Sequence, residues 1–209
     1  MRVRRETLRL YAVTDRRWLK KGEELKSPVE ELLRAGVTCV QLREKEADDA
    51  LLLREAKELQ KLCSRYGVPL IINDRPDIAE KAGASGVHVG RGDMAVRQAR
   101  ELLGEGFIIG ASAHNVEEAL EAEEAGADYL GCGAVFGSGT KENTVKLSRE
   151  ELQRICRAVK IPAAAIGGIN LENADRLAGT GIAGIAVVSA LFAAEDKAAA
   201  AKEFLSRKL

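Results

Sequence analysis

The chain has 209 residues and carries 32 Lys+Arg against 32 Asp+Glu, so its formal charge is zero. That balance argues against a protein that holds nucleic acid or an anionic membrane by bulk positive charge. With 46% apolar, 31% charged and only 4% aromatic residues, the composition is that of a folded protein with a core of small branched side chains, not of a base-stacking surface.

Four cysteines (Cys39, Cys63, Cys132, Cys156) form no CxxC pair and sit among apolar neighbours, so they are expected as buried, reduced thiols. Residues 1–9 are basic but lack the apolar segment of a signal peptide, and the longest nearly apolar run, residues 182–194, is shorter than the roughly 20 that cross a bilayer. The expected location is cytoplasmic.

Short apolar runs alternate with amphipathic helical stretches along the whole chain. The predicted strands are residues 8–13, 37–42, 69–72, 86–89, 107–110, 128–131, 163–166 and 183–187. Between the second and third, Leu52, Ala56, Leu59 and Cys63 share one helical face, opposite Arg54, Lys57, Glu58 and Lys61. Asn115 to Glu118 and Ser148 to Glu151 are capping-box patterns, and the pairs Ala35-Gly36, Ala82-Gly83 and Ala125-Gly126 are helix stops. Strands without polar alternation predict a parallel sheet covered on both faces. About eight βα units with no dividing linker predict a single-domain α/β fold over residues 1–209, a (β/α)8 TIM barrel with a parallel eight-stranded core. The competing doubly wound sheet lacks a GxGxxG after its first strand.

In such a barrel the chemistry lies where the strands end. The second strand runs into Gln41-Leu42-Arg43-Glu44-Lys45, whose period of two sends Gln41, Arg43 and Lys45 to one side, an arrangement suited to a polyanion or to a solvated loop. Asn73-Asp74 follows the third strand, and Asp93 lies in the loop after the fourth. Asp74 and Asp93 could converge as ligands for Mg²⁺ or serve as helix caps, Pro76 being placed for a first turn. Ser112 leaves the fifth strand as either a phosphate donor or a cap, His114 is ambiguous, and His88 reads as a satisfied interior histidine. Beyond the sixth strand, Ser138, Gly139, Thr140 and Lys141 belong to a glycine-rich loop that can embrace a phosphate. Gly167-Gly168 after the seventh strand and Val188-Ser189 after the eighth fit a phosphate cradle.

In order and spacing, these segments resemble the thiamine phosphate synthase family over essentially the whole chain: Gln41 through Lys45, Asn73-Asp74, Gly86-Val87-His88-Val89-Gly90, Asp93, Gly110 through His114, Gly126-Ala127-Asp128-Tyr129, Thr140-Lys141 and Ile166 through Ile169. The resemblance implies a transferase that joins 4-amino-2-methyl-5-hydroxymethylpyrimidine diphosphate to a thiazole phosphate, releasing pyrophosphate and giving thiamine phosphate. It implies that Gln41, Leu42, Arg43, Glu44, Lys45, Asn73, Ser112 and Lys141 contact the pyrimidine diphosphate. Asp74 and Asp93 become the Mg²⁺ ligands, and Ser138, Gly139, Thr140, Gly168, Val188 and Ser189 the thiazole phosphate site. Arg43, Lys45, Lys141 and Ser112 are the catalytic candidates, with no protein nucleophile required.

Two positions depart from the family pattern. Arg91 stands where Gln is usual, and Phe136-Gly137-Ser138 stands where Phe-Pro-Thr is common, which predicts a looser loop. Two rival readings share the barrel: a thiazole tautomerase-like isomerase and a non-catalytic phosphate-ligand sensor. Gly133-Ala134-Val135-Phe136 lacks the histidine of the isomerase's Gly-His-Val-Phe segment, and the neutral charge counts against contact with DNA.

Overall fold

The computed structural model describes residues 3–90, 95–137 and 146–209. Eight strands, β1 (Leu10–Val13), β2 (Cys39–Leu42), β3 (Leu70–Asn73), β4 (Gly86–Val89), β5 (Ile108–Ala113), β6 (Tyr129–Gly133), β7 (Ala163–Ile166) and β8 (Gly184–Val187), close into one parallel barrel in sequence order. Closure is made by β8 pairing with β1, where Tyr11 stands beside Ala186. Each predicted run overlaps its strand, but β3, β5 and β6 continue one to three residues past the predicted ends, and the first strand begins later because residues 5–8 form a 3₁₀ turn.

Strand side chains alternate between two apolar environments, which is why the sequence shows no polar alternation. Outward residues such as Val40, Leu42, Leu70, Ile72, Leu130 and Ile185 pack with the surrounding helices. Inward residues, among them Tyr11, Cys39, Ile71, Ile108, Tyr129 and Ala164, fill the barrel.

The helices are α1 (Lys26–Arg34), α2 (Asp49–Arg65), α3 (Pro76–Ala82), α4 (Val96–Leu103), α5 (Val116–Glu124), α6 (Arg149–Ala158), α7 (Ser189–Phe192) and α8 (Lys197–Ser206). On α2, Leu52, Ala56, Leu59 and Cys63 are buried, as their spacing predicts. Local signals set the ends: Asn115 Oδ1 accepts from the Glu118 amide at 2.8 Å and Ser148 Oγ from the Glu151 amide at 3.1 Å. The reciprocal half of each capping box goes elsewhere. Glu118 takes the His114 amide at 2.9 Å, and Glu151 takes the Val116 amide on the neighbouring helix at 3.1 Å.

The β7–β8 connection carries a 3₁₀ turn at Ala174–Leu177 in place of a long helix. Asn170 and Asn173 organise it, Asn170 Oδ1 accepting the Glu172 and Asn173 amides at 2.9 and 3.1 Å. Side chains that satisfy nearby amides favour turns over helices. Among the described residues, no helix is long and apolar enough to cross a membrane.

Candidate active site

A cavity of about 480 Å³ opens where the strands end, a volume suited to a small ligand. Gln41, Arg43 and Lys45 all line it, so the period of two read from the second strand holds past its end. The Arg43 amide donates to Thr14 Oγ1 at 2.9 Å, pinning this segment to the exit of β1. The side chains of Leu42 and Glu44 do not join them. Leu42 is fully buried in the outer core. Glu44 accepts from Arg16 Nε at 2.6 Å and from Thr14 Oγ1 at 3.3 Å. Burial pushes the Glu44 carboxyl above its ordinary range, opposed by Arg16. The alternation that aims Gln41, Arg43 and Lys45 inward turns these two outward, leaving only their backbone for a ligand.

Asn73 and Asp74 also line the cavity. Asp74 is not a helix cap. The N-cap of α3 is Arg75, with no side-chain cap bond, and Pro76 occupies the first turn. Asp74 is also the sole non-glycine with positive φ among the described residues, at 61°. Its amide donates to the His88 carbonyl at 2.8 Å, and its Oδ2 accepts from Asn73 Nδ2 at 2.5 Å. Left-handed backbone is uncommon outside glycine, and aspartate tolerates it better than most residues. A carboxyl oxygen held at the rim of the cavity that Arg43 and Lys45 also line fits a hard cation such as Mg²⁺, which binds through one or two carboxylates plus substrate oxygens. The described residues contain no cluster of three or more His, Cys, Asp or Glu that could hold a metal unaided. The second expected ligand, Asp93, lies outside the described residues.

Ser112 is likewise no cap, since Asn115 caps α5. It lies at the end of a polar chain through the barrel. Gln41 Nε2 donates to Tyr11 Oη at 2.7 Å, and Tyr11 Oη meets Tyr129 Oη at 2.8 Å. Tyr129 Oη meets His88 Nδ1 at 3.0 Å, and His88 Nε2 meets Ser112 Oγ at 3.1 Å. Burial, first of all, pushes both phenols well above their ordinary pKa, so both stay protonated. Two glycines make room. A Cβ at Gly110 would overlap the Tyr129 ring, and one at Gly131 would crowd His88 Cε1 at 3.0 Å. His88 is therefore hydrogen-bonded, as its position in β4 suggests, but it also lines the cavity.

Among the described residues the opposite wall is uncharged, and much of it is backbone and small side chains. Gly131, Gly133, Ala134, Ala164, Gly167 and Ala186 lie along it, with Gly168, Val188 and Ser189 above. Gly167 and Gly168 have φ of 102° and 66°, a turn that β-carbons would strain. Asn173 Nδ2 holds the Gly168 carbonyl at 2.9 Å, fixing the turn's orientation. Ser138, Gly139, Thr140 and Lys141 lie outside the described residues.

Sequence reasoning missed Tyr11, Tyr129, Arg17 and Trp18. The signal for Tyr129 is Gly110, its partner across β5 and β6. Arg17 and Trp18 line the mouth from a 3₁₀ turn capped by Asp15, which accepts from the Arg17 amide at 3.1 Å. Arg17 Nη2 also bonds Asp15 Oδ2 at 2.7 Å, and this bond holds the Asp15 carboxyl below its ordinary pKa.

Comparison with known proteins gives a consistent result. The family model described as thiamine monophosphate synthase matches residues 10–191. A thiamine-phosphate synthase of Clostridium acetobutylicum is 51% identical over 193 residues, covering 91% of each chain. Thiamine-phosphate synthase 2 of Streptococcus pneumoniae is 46% identical over 205 residues, covering 98% of this chain and 97% of its own. Among solved structures, thiamine phosphate pyrophosphorylase from Pyrococcus furiosus superposes with a TM-score of 0.87 at 41% identity, covering 96% of this chain and 95% of that one.

Proposed function

Because the chain belongs to the thiamine monophosphate synthase family, and is thus a transferase, we propose that it joins 4-amino-2-methyl-5-hydroxymethylpyrimidine diphosphate to a thiazole phosphate. The products are thiamine phosphate and pyrophosphate. The observation that carries this reading is one cavity with Arg43, Lys45 and Asp74 on one side and the Gly167-Gly168 turn with Ser189 on the other. Such a pair of walls suits a diphosphate and a monophosphate held together.

Gln41, Asn73 and Ser112 hold the pyrimidine ring. Arg43 offers a fork and Lys45 a point charge to the diphosphate, and neither forms an ion pair among the described residues. Asp74 and Asp93 are the residues to hold Mg²⁺, which supplies charge neutralisation of the diphosphate oxygens when bound. Lys141 adds a further cation. Gly168, Val188 and Ser189, with Ser138 through Thr140, hold the thiazole phosphate by backbone amides and hydroxyls.

The methylene C–O bond of the pyrimidine breaks with its electron pair leaving on pyrophosphate, and the thiazole nitrogen lone pair forms the new C–N bond. No protein nucleophile takes part. The chain's contribution is positioning two substrates and stabilising the leaving charge in a partly enclosed site.

The direct test incubates purified protein with both substrates and Mg²⁺ and measures thiamine phosphate and pyrophosphate in equal amounts. Asp93→Ala and Lys141→Ala should each lower turnover by several orders of magnitude while leaving the fold intact. Absence of a coupled product would overturn the reading.

A further inference from the structure

The chain Gln41–Tyr11–Tyr129–His88–Ser112 crosses the barrel and reaches the cavity at both ends. Each link holds a single proton, so its members cannot choose their roles independently. Tyr11 accepts from Gln41, and when its own O–H goes to Tyr129 the chain runs in one direction. In that direction Tyr129 gives its O–H to His88 Nδ1, 3.0 Å away, a bond whose donor depends on the imidazole tautomer. A neutral imidazole that accepts at Nδ1 must carry its proton at Nε2, and that proton goes to Ser112 Oγ. The Ser112 hydroxyl is left to donate into the cavity. At the other end, Gln41 has spent an N–H on Tyr11, and its Oε1 is left as an acceptor toward the cavity it lines.

We propose that Tyr11, Tyr129 and His88 are positioning residues that fix the hydrogen-bond polarity of the cavity, presenting Gln41 as acceptor and Ser112 as donor. The ligand chemistry they select is a neutral heteroaromatic ring with an N–H donor on one edge and a ring-nitrogen acceptor on another. An aminopyrimidine is such a ring, and this extension to substrate class rests on the function proposed above. Room for the chain is built into the strands, since side chains at Gly110 and Gly131 would collide with or crowd Tyr129 and His88. Burial of both phenols keeps their protons in place. A directional chain of this kind strengthens each bond through its neighbours, and reversing one link requires reversing all of them.

The test is the tautomer of His88 in the full-length, ¹⁵N-histidine-labelled protein at about pH 8, where an ordinary imidazole is neutral. There are two histidines, and His114→Gln assigns the signals. The expected result is an Nε2–H tautomer for His88; an Nδ1–H tautomer would overturn the proposal. In the second arm, Tyr129→Phe removes the central hydroxyl while keeping the ring. His88 should lose its single tautomer, and KM for the pyrimidine diphosphate should rise about tenfold, the scale of one hydrogen bond. KM for the thiazole phosphate should stay unchanged. An equal rise for both substrates would mark a merely structural role and overturn the positioning claim. If Tyr129→Phe does not fold, the tautomer in the unmodified protein decides alone. A protein that forms no thiamine phosphate yet shows the Nε2–H tautomer defeats the proposed reaction and supports the polarity.

Discussion

The two walls of the cavity are built by opposite means. From β1 to β5 the wall is made of long polar side chains: Gln41, Arg43, Lys45, Asn73, His88 and Ser112. From β6 to β8 it carries no charged side chain among the described residues, being lined by glycine, alanine and serine, with Ile166, Ile169, Val187 and Val188 as its larger, apolar members. The side-chain wall can place full charges, the Asp74 carboxyl among them, at chosen points. The backbone wall can approach a ligand closely and offer N–H groups at little conformational cost. On the function proposed above, two different phosphorylated molecules share the barrel, and the division lets each wall be altered without disturbing the other.

That independence is open to direct attack. The largest effect is expected from Asp74→Asn on the side-chain wall. Turnover at saturating Mg²⁺ should fall by about a thousandfold or more, with the thermal midpoint little changed, as expected when charge stabilisation of a leaving group is lost. A fully active variant would remove Asp74 from the metal site. Chelating Mg²⁺ from the unmodified enzyme should produce a loss of comparable size, restored by adding the ion back.

Gly168→Ala tests the backbone wall. A Cβ there would overlap the Gly137 carbonyl oxygen, at a φ of 66°. We expect KM for the thiazole phosphate to rise about 10- to 100-fold, KM for the pyrimidine diphosphate to stay within about twofold, and stability to drop by about 1–3 kcal/mol. Equal changes in both constants would mean that the walls are not separate.

Asp15→Asn addresses what supports the side-chain wall at the mouth. Asparagine keeps an acceptor for the Arg17 amide at this cap of the Arg16–Trp18 turn, so the variant loses only the charge facing the exposed Arg17 and should cost about 0.5 kcal/mol or less at neutral pH. The Asp15 carboxyl is held below its ordinary value of 3.8, chiefly by the hydrogen bond from Arg17. A depressed folded pKa gives stability that is present above the unfolded value and lost as pH falls through the folded one. Denaturant midpoints of the variant should therefore fall less steeply than those of the unmodified protein below about pH 4.

The smallest effect is a control on both walls. Burial pushes Cys63 up to about 12 and Cys156 to about 11. Cys39 and Cys132 are also raised, chiefly by burial. Alkylation of the native protein near pH 8, read by mass spectrometry, should be slow at all four, with Cys156 first because it is the least buried.

Much of the charged wall is legible in the sequence. A run such as Gln41 to Lys45 directly after an apolar strand carries its own alternation, and the period of two continues into the cavity. The same rule, applied strictly, would have withheld Leu42 and Glu44, whose side chains point the other way. The roles of Asp74 and Ser112 are less legible, because a polar residue before a helix has the same local signature as a cap. Only the observed caps, Arg75 and Asn115, separate the two possibilities. Nothing local reveals Tyr11 or Tyr129, each a single aromatic in an apolar run.

By itself the sequence determined the alternation of strand and helix, the burial of both sheet faces, the helix stops and the segments that end at one rim. All of these follow from periodicity and from residues whose preferences act over a few positions. Tertiary structure alone decided that Tyr11 and Tyr129, 118 positions apart, share a hydrogen bond on the inside of the barrel. It also decided that the histidine of β4 joins the cavity and that the β7–β8 link dispenses with a long helix. Barrel closure brings β8 back beside β1, and contacts across the interior depend on which side chains meet after that closure, which no local pattern encodes.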